Sequence, residues 1–171
     1  LTNYSISGDG KYIAYSTSSS GSDWQEVKVI DLGNNEHLDD VINWCRFTNI
    51  TWSRDNEGFY YGRFPDPSTV DKEDQSNYNH ICYHKLGTPQ SKDILIYKDT
   101  DDKELGFHQN ITEDKKYLTL HVSRGTSPKN GFYYKILGEC DECNDNFIKL
   151  LNEGESEYRF IGNEDSVFYF K

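Results

Sequence analysis

The sequence predicts an all-β protein: a β-propeller segment of about three and a half four-stranded blades. Three observations carry this. An Asp-containing turn between two strand-like stretches recurs four times along the chain. Each copy is followed by further β-branched or aromatic runs, at roughly the spacing of one propeller blade. No segment keeps apolar residues at i, i+3, i+4 and i+7 over three turns, so helices are unsupported. Composition agrees, because aromatics make up 15% of a chain that is only 35% hydrophobic, and burial by amphipathic rings favours sheets.

The first copy of the phrase is Tyr4 to Ser7, a turn at Gly8-Asp9-Gly10-Lys11, then Tyr12 to Tyr15. The second is Ile50 to Ser53, a turn at 54–58, then Phe59 to Tyr61. The third is Gln109 to Thr112, Glu113-Asp114-Lys115-Lys116, then Tyr117 to Leu120. A weaker fourth is Tyr158 to Ile161, 162–165, then Ser166 to Phe170. Gly, Asn and Asp tolerate the positive φ that tight hairpins require. Third strands are expected at Glu26–Ile30, His80–His84 and Phe132–Ile136, and fourth strands at Asp93–Tyr97 and Phe147–Leu151. The expected blades are therefore 1–45, 46–103, 104–154 and an incomplete 155–171. Asp55 follows Asp9 by 46 residues and Asp114 follows Asp55 by 59, which fits one blade plus a loop insertion, visible as the aperiodic stretch Asp66 to Asn79. A two-sheet sandwich would also show regular turns, but it has no reason to repeat this phrase at this spacing. A propeller needs at least four blades to close a ring, so the chain reads as part of a longer one.

The formal charge of −11 argues against nucleic acid or an anionic membrane as partner. There is no long apolar run and no basic-then-apolar leader, so neither a membrane span nor a signal peptide is read, and a cytoplasmic location is expected. Free thiols are expected at Cys45, Cys82, Cys140 and Cys143. The sequons at Asn3, Asn49 and Asn110 are as frequent as chance allows.

Several segments resemble the propeller of the prolyl oligopeptidase family. They are Asp9 to Tyr15 followed by Ser20-Gly21-Ser22-Asp23-Trp24, then Ile50 to Asp55, Tyr83-His84-Lys85-Leu86-Gly87-Thr88, and Gln90 to Leu95. The resemblance runs over essentially the whole chain. It implies a seven-bladed propeller covering an α/β-hydrolase domain, whose Ser-Asp-His triad cleaves short proline-containing peptides while the propeller excludes folded proteins. The chain itself has no G-x-S-x-G nucleophile elbow, so no catalytic residue is expected in it. Two other readings remain: a stand-alone propeller scaffold that recruits protein partners, and the propeller of a related exopeptidase or acylpeptide hydrolase.

Cys140-Asp141-Glu142-Cys143 has the spacing of half a zinc knuckle, but no second pair accompanies it, so no metal and no cofactor are expected. Asp9, Asp55 and Asp114 share a turn position and should bond their own turns rather than converge on a site. His80 and His84 lie on one face of a strand but about 13 Å apart, too far to share an ion. Trp24, Trp44 and Trp52 are expected as packing anchors between blades. The segment Gly33, Asn34, Asn35, Glu36, His37, Leu38, Asp39, Asp40, then on through Val41, Ile42 and Trp44 to Arg46, joins the first blade to the second. Its polar start reads as a solvated loop, and by the resemblance it would face the hydrolase domain as a gate. By the same alignment Thr17 and Ile96 are expected at the edge of the substrate pocket.

Overall fold

The structure, a computed structural model, describes residues 1–18, 21–138 and 147–171. Cys140 and Cys143 lie outside the described residues. The strands are β1 (Asn3–Ile6), β2 (Tyr12–Ser18), β3 (Gln25–Asp31), β4 (Glu36–Cys45), β5 (Ile50–Trp52), β6 (Gly58–Arg63), β7 (His80–Lys85), β8 (Ile94–Lys98), β9 (Leu105–Ile111), β10 (Tyr117–Arg124), β11 (Asn130–Ile136), β12 (Ile148–Ser156), β13 (Phe160–Glu164) and β14 (Val167–Phe170). They form three four-stranded sheets and one two-stranded sheet, every pair antiparallel and every sheet ordered as the chain runs. Within the insertion after β6 the described chain forms a short 3-10 turn at Lys72–Asp74. No helix is long and apolar enough to cross a membrane among the described residues.

The recurring turn has one chemistry. Ser7, Ser53 and Thr112 donate their hydroxyls to Asp9, Asp55 and Asp114 at 2.7, 2.6 and 2.7 Å. Each carboxylate also accepts the N–H two residues on, from Lys11, Glu57 and Lys116. Each hydroxyl in turn accepts the N–H that opens the next strand, from Tyr12, Gly58 and Tyr117. One residue per hairpin takes the left-handed conformation: Gly10, Asn56, Lys115 and, in the fourth, Asp165. Neighbouring turns are also linked, since Gly8 N–H donates to Asn56 Oδ1 and Asn163 Nδ2 donates to Asp114 Oδ2. The three aspartates are thus structural, as their positions suggested.

The core lies between sheets. In β6, Phe59 and Tyr61 point toward the first sheet and join Val27, Val29, Ile42 and Trp52, while Tyr60 points the other way and joins Leu105, Leu118, Leu120 and Tyr133. In β7, Cys82 and Tyr83 divide in the same way. Burial on both faces explains why these strands read as continuous apolar runs instead of alternating ones. The third interface is aromatic, with Phe132 and Tyr134 against Phe160, Phe168 and Phe170.

Two expectations are corrected here. The segment from Gly33 to Arg46 is not a solvated loop: Gly33, Asn34 and Asn35 make a tight turn, and Glu36–Cys45 is the fourth strand of the first sheet. The turn is held by Gly33 N–H to Asp31, Glu36 N–H to Asn34 Oδ1, and a left-handed Asn35. The period-two pattern is present, with Leu38, Asp40 and Ile42 inward and His37, Asp39, Val41 and Asn43 outward. A carboxylate at an inward position hid it. Ile96 is likewise not at a pocket edge; it is 1% exposed in the second core cluster.

Candidate functional site

A concavity of about 460 Å³ opens where the β4–β5, β6–β7 and β8–β9 connections meet the end of β10. Its first wall is built around Arg46. The guanidinium donates to Asp23 Oδ2 at 2.9 Å and to Ser76 Oγ at 2.7 Å, and it lies 5.0 Å above the Trp24 ring. Trp24 meets Trp44 and Phe64 edge to face. The described part of the Ser20–Trp24 motif therefore clamps the loop that leaves β4. Phe47, next in sequence, has φ of 48° and is 63% exposed at the mouth. A bulky residue in the left-handed region is strained, so the surrounding structure must hold Phe47 there.

The floor is held by polar side chains that stitch backbone. Thr48 Oγ1 accepts Gly62 N–H at 2.6 Å. Asn79 Oδ1 accepts Phe107 N–H at 2.8 Å, joining the second sheet to the third. On the far wall Arg124 pairs with Asp102 and Glu104. Both arginines are thus already neutralised by carboxylates, leaving a groove of aromatic surface with polar rims and no free cationic pole. Such a surface suits an extended, uncharged chain segment better than an anion. A second groove of about 680 Å³ runs along the inner strands and is lined by Asn3, Asn49, Gln109 and Asn110, with His108 shared between the two. Burial, reinforced by the neighbouring His121, lowers the His108 pKa and keeps that ring neutral.

The concavity holds no catalytic apparatus. Among the described residues, the bonded imidazoles meet a tyrosine, a backbone carbonyl, carboxylates or an amide: Tyr15 for His37, Tyr78 O for His80, Asp40 and Asp93 for His84, and Asn130 for His121. None is held as a base beside a serine or thiol, the pairing nucleophilic catalysis requires. No group of three or more metal-ligating side chains is present among the described residues. Cys45 and Cys82 are buried, and burial drives both thiol pKa values up.

Of the residues singled out in the sequence, Arg46 lines the groove and Trp44 supports it through Trp24. Thr17 is half-buried in β2 opposite Glu26 and lines neither groove. The turn at Gly33 to Asn35 lies at the other end of β4, about 30 Å from Arg46 for a strand of this length. Asp40 points into the protein, where its carboxylate meets His84. Sequence reading missed Phe47, Phe64, Asn79 and Arg124. Phe47 carried a usable signal, an aromatic between Arg and Thr in a connection otherwise short and polar.

Sheets stacked in chain order, each sharing a core with the next, with a groove at one end, define a portion of a β-propeller. The chain belongs to the prolyl oligopeptidase family: the family model for "Prolyl oligopeptidase, N-terminal beta-propeller domain" matches residues 1–171. It is 35% identical to prolyl oligopeptidase A of Amanita bisporigera over 189 aligned residues, covering 100% of this chain and 25% of that protein. It is 28% identical to a prolyl endopeptidase of Elizabethkingia miricola, covering 99% of this chain and 23% of that one. Among solved structures, prolyl oligopeptidase B of Galerina marginata bound to a 35mer hydrolysis and macrocyclization substrate superposes with a TM-score of 0.88 at 30% identity, over 99% of this chain and 25% of that one. Its apo form gives 0.83 at 31% identity, over 98% and 24%. The chain spans about a quarter of the length of the curated relatives it matches.

Proposed function

We propose that this propeller segment screens and gates access to a post-proline serine peptidase domain carried on the same protein, admitting short proline-containing peptides and excluding folded ones. The observation that supports this is the family match over all 171 residues, with relatives named prolyl oligopeptidase and prolyl endopeptidase, in a chain whose described imidazoles pair with no nucleophile. The hydrolase domain is its principal partner in this reading, and the protein works in the cytoplasm. The groove beside Arg46 and Phe47 contacts the peptide, Phe47 supplying an apolar face and the paired arginines a polar rim. Within the Gly33–Arg46 segment, the gating contribution belongs to the Trp44–Arg46 end.

The test is active-site labelling of the full-length protein with a fluorophosphonate, followed by peptide mapping, alongside cleavage of a Gly-Pro fluorogenic substrate. One labelled serine outside residues 1–171, together with cleavage after proline, is the expected result. A labelled serine inside this segment, or no cleavage of proline substrates, overturns the proposal.

A further inference from the structure

His84, on β7 of the second sheet, is 0% exposed, yet both of its ring nitrogens face carboxylates. Nε2 lies 2.8 Å from Asp40 Oδ1, from β4 of the first sheet, and Nδ1 lies 2.7 Å from Asp93 Oδ1, immediately before β8. The two carboxylate side chains are 2% and 1% exposed. Each acid has a further donor: Gly87 N–H bonds Asp40 Oδ1 at 2.7 Å, and the Tyr61 hydroxyl bonds Asp93 Oδ2 at 2.6 Å. Carboxylates that already collect donors are acceptors, so both nitrogens of His84 must donate, and the ring is an imidazolium.

The cluster stands on the seam between two blades. Beside it Gln90 bonds both the N–H and the carbonyl of Asn43 in β4, and it also donates to the Tyr61 hydroxyl. The ladder between β3 and β4 is irregular just here, between the Lys28 and Ile30 pairings, which frees β4 to follow the neighbouring sheet at Asp40. The other titratable groups near the cluster are Tyr61 and Arg63 from β6, Cys82 from β7 and Cys45 from β4, and the cavity that Asp93 lines also holds Tyr78, His80 from β7 and Lys98 from β8. Burial raises the pKa of Tyr61, Cys45 and Cys82 and lowers that of His80, so these four stay neutral, and the charges about the seam are the two carboxylates, the imidazolium, Arg63 and Lys98.

We propose that Asp40, His84 and Asp93 form a proton-linked lock that holds the first blade against the second, and that the seam loosens as the imidazolium is titrated. A buried pair that loses one charge leaves the other uncompensated, which is the costly outcome in a dry interior. Burial alone would discharge His84, but the bonds to Asp40 and Asp93 prevail, and its pKa is pushed up to about 9 from the ordinary 6.5. A histidine with a raised folded-state pKa stabilises fully below its unfolded value. The stabilisation is then lost as pH rises through the folded value. The lock therefore holds fully up to about pH 6.5 and weakens from there to about pH 9. On the acid side burial would raise the Asp40 pKa, but the bonds from His84 and Gly87 prevail and lower it, so the contribution of Asp40 is full above the ordinary carboxylate value and is lost as pH falls through the lowered one.

Hydrogen exchange on the full-length protein reads the seam directly. After correction for intrinsic exchange, protection of residues 36–45 should fall about tenfold per pH unit between pH 6.5 and 9, the slope of one linked proton. Protection of 117–124 in the third blade should stay flat. His84→Gln should lower the protection of 36–45 at pH 6.5 and abolish the slope. Asp40→Asn, which removes one carboxylate and keeps its shape, should move the levelling-off to lower pH. If His84→Gln does not fold, the wild-type and Asp40→Asn profiles decide. A flat wild-type profile, a slope retained in His84→Gln, or an unshifted Asp40→Asn profile each overturns the lock.

Discussion

Substituting Gly58 by alanine tests the close approach of β6 to β7. The torsion of Gly58 is ordinary, so its requirement is one of space. A Cβ built there would lie 2.1 Å from the His84 carbonyl oxygen and 2.7 Å from the end of the Tyr83 ring. Carbon and carbonyl oxygen come no closer than about 3.3 Å even in favourable C–H···O contacts. The strands must therefore part by about 1 Å, across a ladder in which Gly58 pairs with Lys85 and Phe59 with His84. Overpacking of this kind costs about 3 kcal/mol, and one strained ladder bond adds about 1 kcal/mol. A total near 4 kcal/mol corresponds to a fall of about 10 °C in Tm for a unit of this size. Gly10 is the control, with φ of 73° and nothing within 4 Å of its Cβ position. Gly10→Ala suffers only the left-handed strain, about 1 kcal/mol, and should lose about 3 °C. The assay is thermal denaturation of the full-length protein, with hydrogen exchange of residues 58–63 and 80–85 locating the damage. If Gly58→Ala melts within 2 °C of Gly10→Ala, the steric argument fails.

Three other outcomes follow from the same geometry. Phe47→Ala should raise KM for a short proline peptide about tenfold, with kcat and Tm little changed, because an exposed ring at the groove mouth contributes contact and not core packing; an unchanged KM removes Phe47 from the site. Asn35→Gly, at a left-handed turn position a strand's length from the groove, should leave the cleavage of short and long peptides alike unaltered. A selective change in long-peptide cleavage would restore the gate to this turn. Cys45 and Cys82 should resist a thiol reagent such as dithiobis(nitrobenzoate) in the native state and react only on unfolding, since burial raises both pKa values, that of Cys82 to about 12. Rapid labelling of either in the folded protein would contradict this.

The blade pattern was legible because the turn carries its own grammar. Ser or Thr, then Asp two residues on, then a left-handed residue closes the hairpin locally, and local chemistry survives in a single sequence. Strand β6 was legible as the aromatic stretch that follows this turn, and β7 from the apolar run Ile81-Cys82-Tyr83. The fourth strand of the first blade was not, because Glu36, Asp39 and Asp40 resemble a solvated loop until His84, 44 residues beyond Asp40, is known to sit opposite. The same long-range pairing hid the role of His84, which at the sequence level was one of two ordinary strand histidines. The groove was partly legible. Arg46 and Trp44 fell within the chosen segment, while Phe64 and Asn79 come from the β6–β7 connection and Arg124 from the end of β10, which only the fold brings together.

The alternation along β6 bears on how such a ring fails. Phe59 and Tyr61 belong to one core and Tyr60 to the next, so the second blade has no interior of its own. Its stability is divided between two shared boundaries, in the manner of a linear array with nearest-neighbour coupling. Damage at one residue is then felt by both flanking units before any distant one, and an array cut at a blade boundary leaves a bare face in place of an intact smaller protein. The same arithmetic gives selection two independent dials within three consecutive residues: Phe59 and Tyr61 set the adhesion on one side, Tyr60 on the other, and one seam can be loosened while its neighbour stays tight.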